Sequence, residues 1–140
     1  MLSRTFDAGL LNALVNHPVI RPEMGGSGDI DLTAAVAMPR NVFLLGEHGA
    51  FTLSWSAPHT YEAHAMVLPS GRGRWALSAA ADGIAYMAAR GAQRIWARAH
   101  PNARNVALFL QMIGLKPCGS LPCDLGNGPV DYLIFDRSPL

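Results

Sequence analysis

The stretch YEAHAMVLPSGRGRWA, Tyr61 to Ala76, passes from an extended strand through an arginine and glycine turn into a helix. From Tyr61 to Leu68 the residues alternate. Glu62, His64, Met66 and Leu68 share one face and Tyr61, Ala63, Ala65 and Val67 the other, as in a pleated strand. Pro69, Gly71 and Gly73 interrupt this pattern. From Trp75 to Ala89 the apolar positions Leu77, Ala80, Ile84 and Met87 recur at helical spacing, beside Ala76, Ala81 and Ala88. That predicts a buried amphipathic helix ending at Gly91. Gly83 within it costs about 1 kcal/mol relative to alanine.

Downstream, Arg94 to Ala99 alternates again, with Ile95, Ala97 and Ala99 inward and Arg94, Trp96 and Arg98 outward, so a strand is expected. Asn105 to Met112 follows as a helix with Val106, Phe109, Leu110 and Ile113 as its apolar stripe and Gly114 as its stop. Lys116 to Pro129 is rich in proline and glycine and reads as a separating stretch before a final strand, Val130 to Phe135. Upstream, Asn41 to Leu45 and Ala50 to Trp55 form a hairpin about the Gly46 to Gly49 turn. Before it, Asp7 precedes a short helix bearing Leu10, Leu11, Leu14 and Val15, which His17-Pro18 terminates. MGGSGD at 24 to 29 is a loop, and Asp29 or Asp31 is placed to cap a second short helix through Ala37. The order predicts an α/β (α+β) domain over residues 1–140, a mixed sheet flanked by helices.

With 140 residues, half of them apolar and 15% charged, the chain is long enough to bury one core and too apolar to be disordered. The net charge is +1, yet ten of the eleven basic residues are arginine, and six of those fall between Arg72 and Arg104 with only Asp82 opposing them. Arginine presents forked, permanently charged donors suited to phosphate oxygens. Arg94, Trp96, Arg98 and His100 form an outward basic and aromatic stripe, a pattern that contacts nucleic acid in some proteins. A solvated or covered sheet face is the more economical reading of so short a stripe. The five histidines show no metal-ligand spacing, and Cys118 and Cys123 belong to no paired CxxC, so neither a metal nor a disulfide framework is expected. No apolar run reaches the length of a membrane span or secretory signal, which leads us to expect a cytoplasmic protein.

Chemistry is expected first at the turn Arg72, Gly73, Arg74, Trp75 and Ala76. There, backbone amides and two arginines meet a helix N-terminus, an arrangement that favours anions. A second place is the strand face carrying Glu62 and His64, two residues apart and able to reach a common cleft. Either side chain can accept a proton.

Together, YEAHAMVLPSGRGRWA, RGAQRIWARAHPN and IGLKP resemble the acetyl-coenzyme A binding half of the GNAT N-acetyltransferases. NHPVIRPEMGG and PRNVFLLGEHGAF extend the resemblance over nearly the whole chain, to a small GNAT-like group met in tailed phages and prophages. The resemblance implies a mostly antiparallel GNAT sheet, acetyl-CoA as co-substrate and an amine as acceptor. It implies that VLPSGRGRWA holds the cofactor pyrophosphate, and that the backbone at Val67 and Leu68 pairs with the pantetheine arm. Asn102 or Asn105 would contact that arm, Asn102 with one extra residue in the spacing. The family's Arg/Gln-x-x-Gly-x-Gly/Ala loop fits in neither register: from Arg72, Trp75 and Leu77 stand where small residues belong, and a bulky side chain there would narrow the approach of a phosphate.

Glu62 or His64 would be the base. The tyrosine that usually serves as acid corresponds to Leu110, with Tyr86, Tyr132 and Cys118 as other donors in the chain. The alternative is a non-catalytic GNAT-fold protein of a phage virion or its assembly, acting through phage structural proteins. A homo-oligomer is compatible with either reading.

Overall fold

The computed structural model describes all of residues 1–140. Seven strands, β1 (Ser3–Arg4), β2 (Val42–Gly46), β3 (Gly49–Ala57), β4 (Thr60–Val67), β5 (Arg94–Ala99), β6 (Lys116–Asp124) and β7 (Pro129–Arg137), form one sheet. The helices are α1 (Ala8–Val15), α2 (Thr33–Ala37), α3 (Arg74–Ala89) and α4 (Arg104–Met112), with 3-10 turns at Arg21–Met24 and Pro69–Gly71. Strand order is β1-β2-β3-β4-β5-β7-β6. Every neighbouring pair is antiparallel except β4 and β5, which run parallel. The expected mixed, mostly antiparallel sheet with flanking helices is therefore present.

Alternation along the strands divides the core in two. Val42, Leu44, Phe51, Leu53, Val67, Ile95, Ala97 and Phe135 face α3 and α4, packing on Ala76, Ala80, Ile84, Met87 and Leu110. Phe43, Ala50 and Met66 project to the opposite face, against Leu11 and Val15 of α1 and Ile20. The Asp7 carboxylate accepts from the Leu10 N–H at 3.0 Å and starts α1, the role of an acidic N-cap. Leu10 itself is 41% exposed and lies off the buried stripe. Asp31 lies one position before the Leu32 cap of α2. Its carboxylate nonetheless accepts from the Thr33 N–H at 2.9 Å.

Lys116–Asp124 corrects the expectation of an irregular separating stretch, since it pairs along its length with β7. Its prolines survive because β6 is the sheet edge, where a missing N–H costs no ladder bond on the open side. Gly119 takes up the register shift after Pro117.

Candidate functional site

β4 and β5 pair only through Thr60, Tyr61 and Glu62 against Arg94, Ile95 and Trp96. Beyond that point both strands continue without pairing to each other, so a gap opens in the sheet. The Leu68 N–H donates to the His48 carbonyl at 2.8 Å, which sets the phase of the β3–β4 ladder. In antiparallel pairing alternate residues turn their polar backbone to the same neighbour. Glu62, His64, Met66 and Leu68 therefore bond β3, whereas Ala63, Ala65 and Val67 turn N–H and C=O toward the gap. Val67 thus offers free backbone to the gap, and Leu68 does not.

A cleft of about 950 Å³ occupies the gap and runs between the sheet and the α3 and α4 helices. Its volume falls within the ~300–1,000 Å³ usual for small-molecule sites. Of the expected residues, His64, Val67, Arg72, Gly73, Ala76, Asn102 and Asn105 line it. Leu68, Arg74, Trp75 and Glu62 do not contribute to its walls.

The turn into α3 depends on both its glycines. A Cβ on Gly71 would lie 2.3 Å from the His48 Cβ, so only glycine permits that approach. Gly73 has φ +101°, and a Cβ there would meet nothing within 4 Å, which leaves open space ahead of the helix. Gly73 caps α3 without a side-chain hydrogen bond. The first helical bond comes from the Leu77 N–H to the Gly73 carbonyl at 3.2 Å. The amides of Arg74, Trp75 and Ala76 thus lack intrahelical partners, as at any helix start.

α4 begins the same way: Ala103 supplies no capping side chain, and the first bond runs from Ala107 N–H to Ala103 C=O at 3.1 Å. Arg74 and Arg104 hold the first position of their helices and are exposed. Neither makes an ion pair with a carboxylate. A cation at a helix N-terminus opposes the macrodipole unless an anion joins it.

The expected intrusion of Trp75 does not occur. Its ring meets His48 edge to face, with centroids 5.2 Å apart, and its atoms fill the space beside Gly46 and Gly71. The indole is thus committed to the β2–β3 turn, and the amides at the start of α3 stay clear.

On the other face of the sheet, Arg98 bridges to Glu62 with Nε 2.7 Å from Oε2 and Nη2 3.2 Å from Oε1. His64 Nε2 lies 3.3 Å from the same Oε2. The Glu62 side chain is 13% exposed and that of His64 39%. Burial pushes the Glu62 carboxyl up, but the His64 ring and the Arg98 guanidinium outweigh it and hold it below the usual carboxylate range. The hydrogen bond to Glu62 raises the Arg98 guanidinium further. Nη1 of Arg98 also reaches the Cys123 sulfur at 3.2 Å.

The remaining outward stripe is likewise engaged: Arg94 pairs with Asp136 at 2.8 Å, and the Trp96 indole donates to Ser56 Oγ at 2.9 Å. Leu110, which the resemblance sets against the usual acid, is 6% exposed within the core. Tyr132 does line the cleft, as does His100, and the two rings stand edge to face at 5.7 Å.

Three features lay beyond sequence reasoning. One is Arg98, read only as part of an outward stripe. Another is Glu23, which pairs with Arg72 at 2.5 Å across the cleft. The third is the splay itself. The alternation of Glu62 and Arg98 on matching faces was the available signal for their meeting.

No protein-family model matches the chain, and no curated protein matches it in sequence. Solved structures do match its architecture. Spermidine N-acetyltransferase from Vibrio cholerae, in complex with CoA and spermine, superposes with TM-score 0.80 at 12% identity, covering 99% of this chain and 95% of that one. A putative acetyltransferase from Salmonella typhimurium with its cofactor acetyl-CoA gives 0.77 at 14% identity, covering 99% and 92%. A GNAT-family acetyltransferase from Bacillus anthracis gives 0.71 at 18% identity, covering 98% and 93%. The protein has the fold of the GNAT acetyltransferases.

Proposed function

We propose that residues 1–140 form an acetyl-CoA-dependent N-acyltransferase domain that passes an acyl group to an amine by direct attack. The observation that carries this reading is the splay of β4 from β5. It leaves strand backbone unpaired along a cleft that reaches the uncapped starts of α3 and α4. Unpaired strand backbone accommodates the amides of an extended ligand, and helix starts accommodate phosphates.

Ala63, Ala65 and Val67 would hold a pantetheine arm in strand fashion. The amides of Arg74, Trp75 and Ala76 together with Arg72 would hold the pyrophosphate, and Asn102 and Asn105 would flank the arm. Bound acetyl-CoA would supply a thioester, an acyl group on a good leaving thiolate.

His64 is the proton acceptor in this account. It lines the cleft, and Glu62 engages its Nε2, leaving the other ring nitrogen for the substrate. Glu62 is too firmly held by Arg98 to be an effective base, so it orients the imidazole. As the amine nitrogen bonds to the acyl carbon and the carbon–sulfur bond breaks, the ammonium proton passes to His64 and sulfur leaves as thiolate. A thiol has a pKa of about 8.5, so departure near neutral pH does not require a side-chain acid, and Leu110 is tolerated.

The test is acetylation of primary amines followed by product mass, comparing the protein with His64→Ala. Loss of a general base should lower kcat by about 10²–10⁴ while acetyl-CoA still binds. Acetylation at undiminished kcat by His64→Ala would remove His64 from the account.

A second reading, a non-catalytic phage virion or assembly protein on the same scaffold, is favoured by one observation, the buried Leu110 in place of a proton donor. It requires the protein to be present in purified particles, and its absence there would end that reading.

A further inference from the structure

The two faces of the sheet offer a second substrate very different surroundings. A cofactor held at the starts of α3 and α4 takes the face on which Ala76, Ile84 and Leu110 pack. The amine must then meet it through the gap from the face bearing Glu62, His64 and Arg98.

We infer that the acceptor is a primary amine on an apolar, aromatic body; this rests on the acyltransfer reading above. Charge gives the second substrate little to hold. Glu23 is the one carboxylate lining the cleft; Arg72 holds it in the empty protein, and a phosphate on Arg72 would release it. Glu62 lies just behind and is taken by Arg98. The distal ammonium of a polyamine would thus find at most one carboxylate, and desolvating a charge that lacks a partner is costly.

What the cleft offers instead is a wall of Met24, Leu125, Tyr132 and His100. A Cβ on Gly25 would lie 2.5 Å from the Leu125 Cδ1, so the turn between β6 and β7 sits directly on the glycine loop after the Arg21–Met24 turn. That contact closes this end with apolar atoms. Methionine and edge-to-face aromatic rings adapt to a planar apolar group. The Tyr132 hydroxyl lies near Gly25 and forms no hydrogen bond within the protein.

Steady-state acetylation with acetyl-CoA, using phenethylamine and spermidine as the probes, tests this. Phenethylamine should show kcat/KM at least about tenfold higher, the discrimination that an apolar pocket commonly gives. Tyr132→Ala should raise the KM for phenethylamine by about tenfold, well beyond its effect on kcat. Tyr132→Phe, which keeps the ring, should stay within about twofold of the parent KM.

Spermidine acetylated as well as phenethylamine would overturn the inference, as would failure to acetylate phenethylamine while acetyl-CoA binds. A KM raised by Tyr132→Phe as much as by Tyr132→Ala would overturn the packing role of the ring. Failure to bind acetyl-CoA would overturn the acyltransfer reading itself and this inference with it.

Discussion

Arg98 grips Glu62 with two hydrogen bonds, 2.7 and 3.2 Å long; Glu62 is the last residue of β4 paired to β5, and Arg98 follows Trp96, the last residue of β5 paired to β4. The ion pair therefore stands at the vertex where the sheet divides. It ties the two strands together where backbone bonds stop, and it fixes the carboxylate that His64 touches.

Removing Arg98 leaves that carboxylate mostly buried and without its guanidinium. Arg98→Ala should lower stability by about 1–3 kcal/mol, as when a buried charge-assisted hydrogen bond is broken, measured by urea denaturation at pH 7. The pH dependence has a definite sign. Glu62 titrates lower in the folded chain than its ordinary value of 4.5, so its contribution is complete above that value. It is lost as the pH falls through the lower folded value. In Arg98→Ala the burial penalty faces only His64, so the acid midpoint should move to higher pH. An unchanged acid midpoint would show that Arg98 does not govern the carboxyl.

Arg74 and Arg104 should cost the empty protein stability and contribute to it when an anion is bound. Arg74→Ala and Arg104→Ala should leave the melting temperature unchanged or slightly raised without ligand, because each removes a cation from the positive end of a helix. The same substitutions should weaken binding of acetyl-CoA several-fold, and most at low salt. A lowered melting temperature with unaltered affinity would contradict the assignment.

Glu23 competes with any phosphate for Arg72. Both side chains are about two-fifths exposed, at 40% and 42%, so their pair is worth at most about 1 kcal/mol. Glu23→Gln should accordingly tighten acetyl-CoA binding by no more than about fivefold, as read by calorimetry. Weaker binding in Glu23→Gln would mean that the carboxylate assists the ligand.

Two glycines separate permissive from obligatory positions. A Cβ on Gly83 would rest 3.6 Å from the Leu2 and Leu44 methyls, an ordinary contact. Gly83→Ala should therefore stabilise α3 by about 0.5–1 kcal/mol. A Cβ on Gly49 would lie 2.2 Å from the Met66 carbonyl oxygen, and its φ is +153°. Gly49→Ala should destabilise by about 1–3 kcal/mol and disturb β4 where Val67 faces the cleft. Thermal unfolding of the two variants should shift in opposite directions.

How much of this could be read from the chain varies with the locality of the forces involved. β5 was legible to its ends because Arg94 to Ala99 alternates without interruption and Gly91 marks the turn before it. α3 was legible from the spacing of Leu77, Ala80, Ile84 and Met87. β6 was missed because Pro117, Gly119 and Pro122 contradict a strand everywhere except at a sheet edge, and edge position is a property of the whole sheet.

The site was legible in part. Glu62 and His64 were found through their shared face, and Arg72 and Gly73 through the turn. The partners Arg98 and Glu23 are distant in sequence: strand alternation puts Arg98 on the same face as Glu62 but does not pair β4 with β5, and no periodicity relates Glu23 to Arg72. The direction of Trp75 depended on the absence of a side chain at Gly46 and Gly71, which only the folded contact reveals.

The central claim is that the gap between β4 and β5, with the turn at Arg72 to Ala76, receives acetyl-CoA. Calorimetric titration of acetyl-CoA into the protein and into Arg72→Ala tests it most directly. Saturable one-to-one binding is expected, weakened by about tenfold or more in Arg72→Ala, the loss of one charge-assisted phosphate contact. No binding at millimolar acetyl-CoA would contradict the claim, and equal affinity in the two proteins would remove the phosphates from this turn.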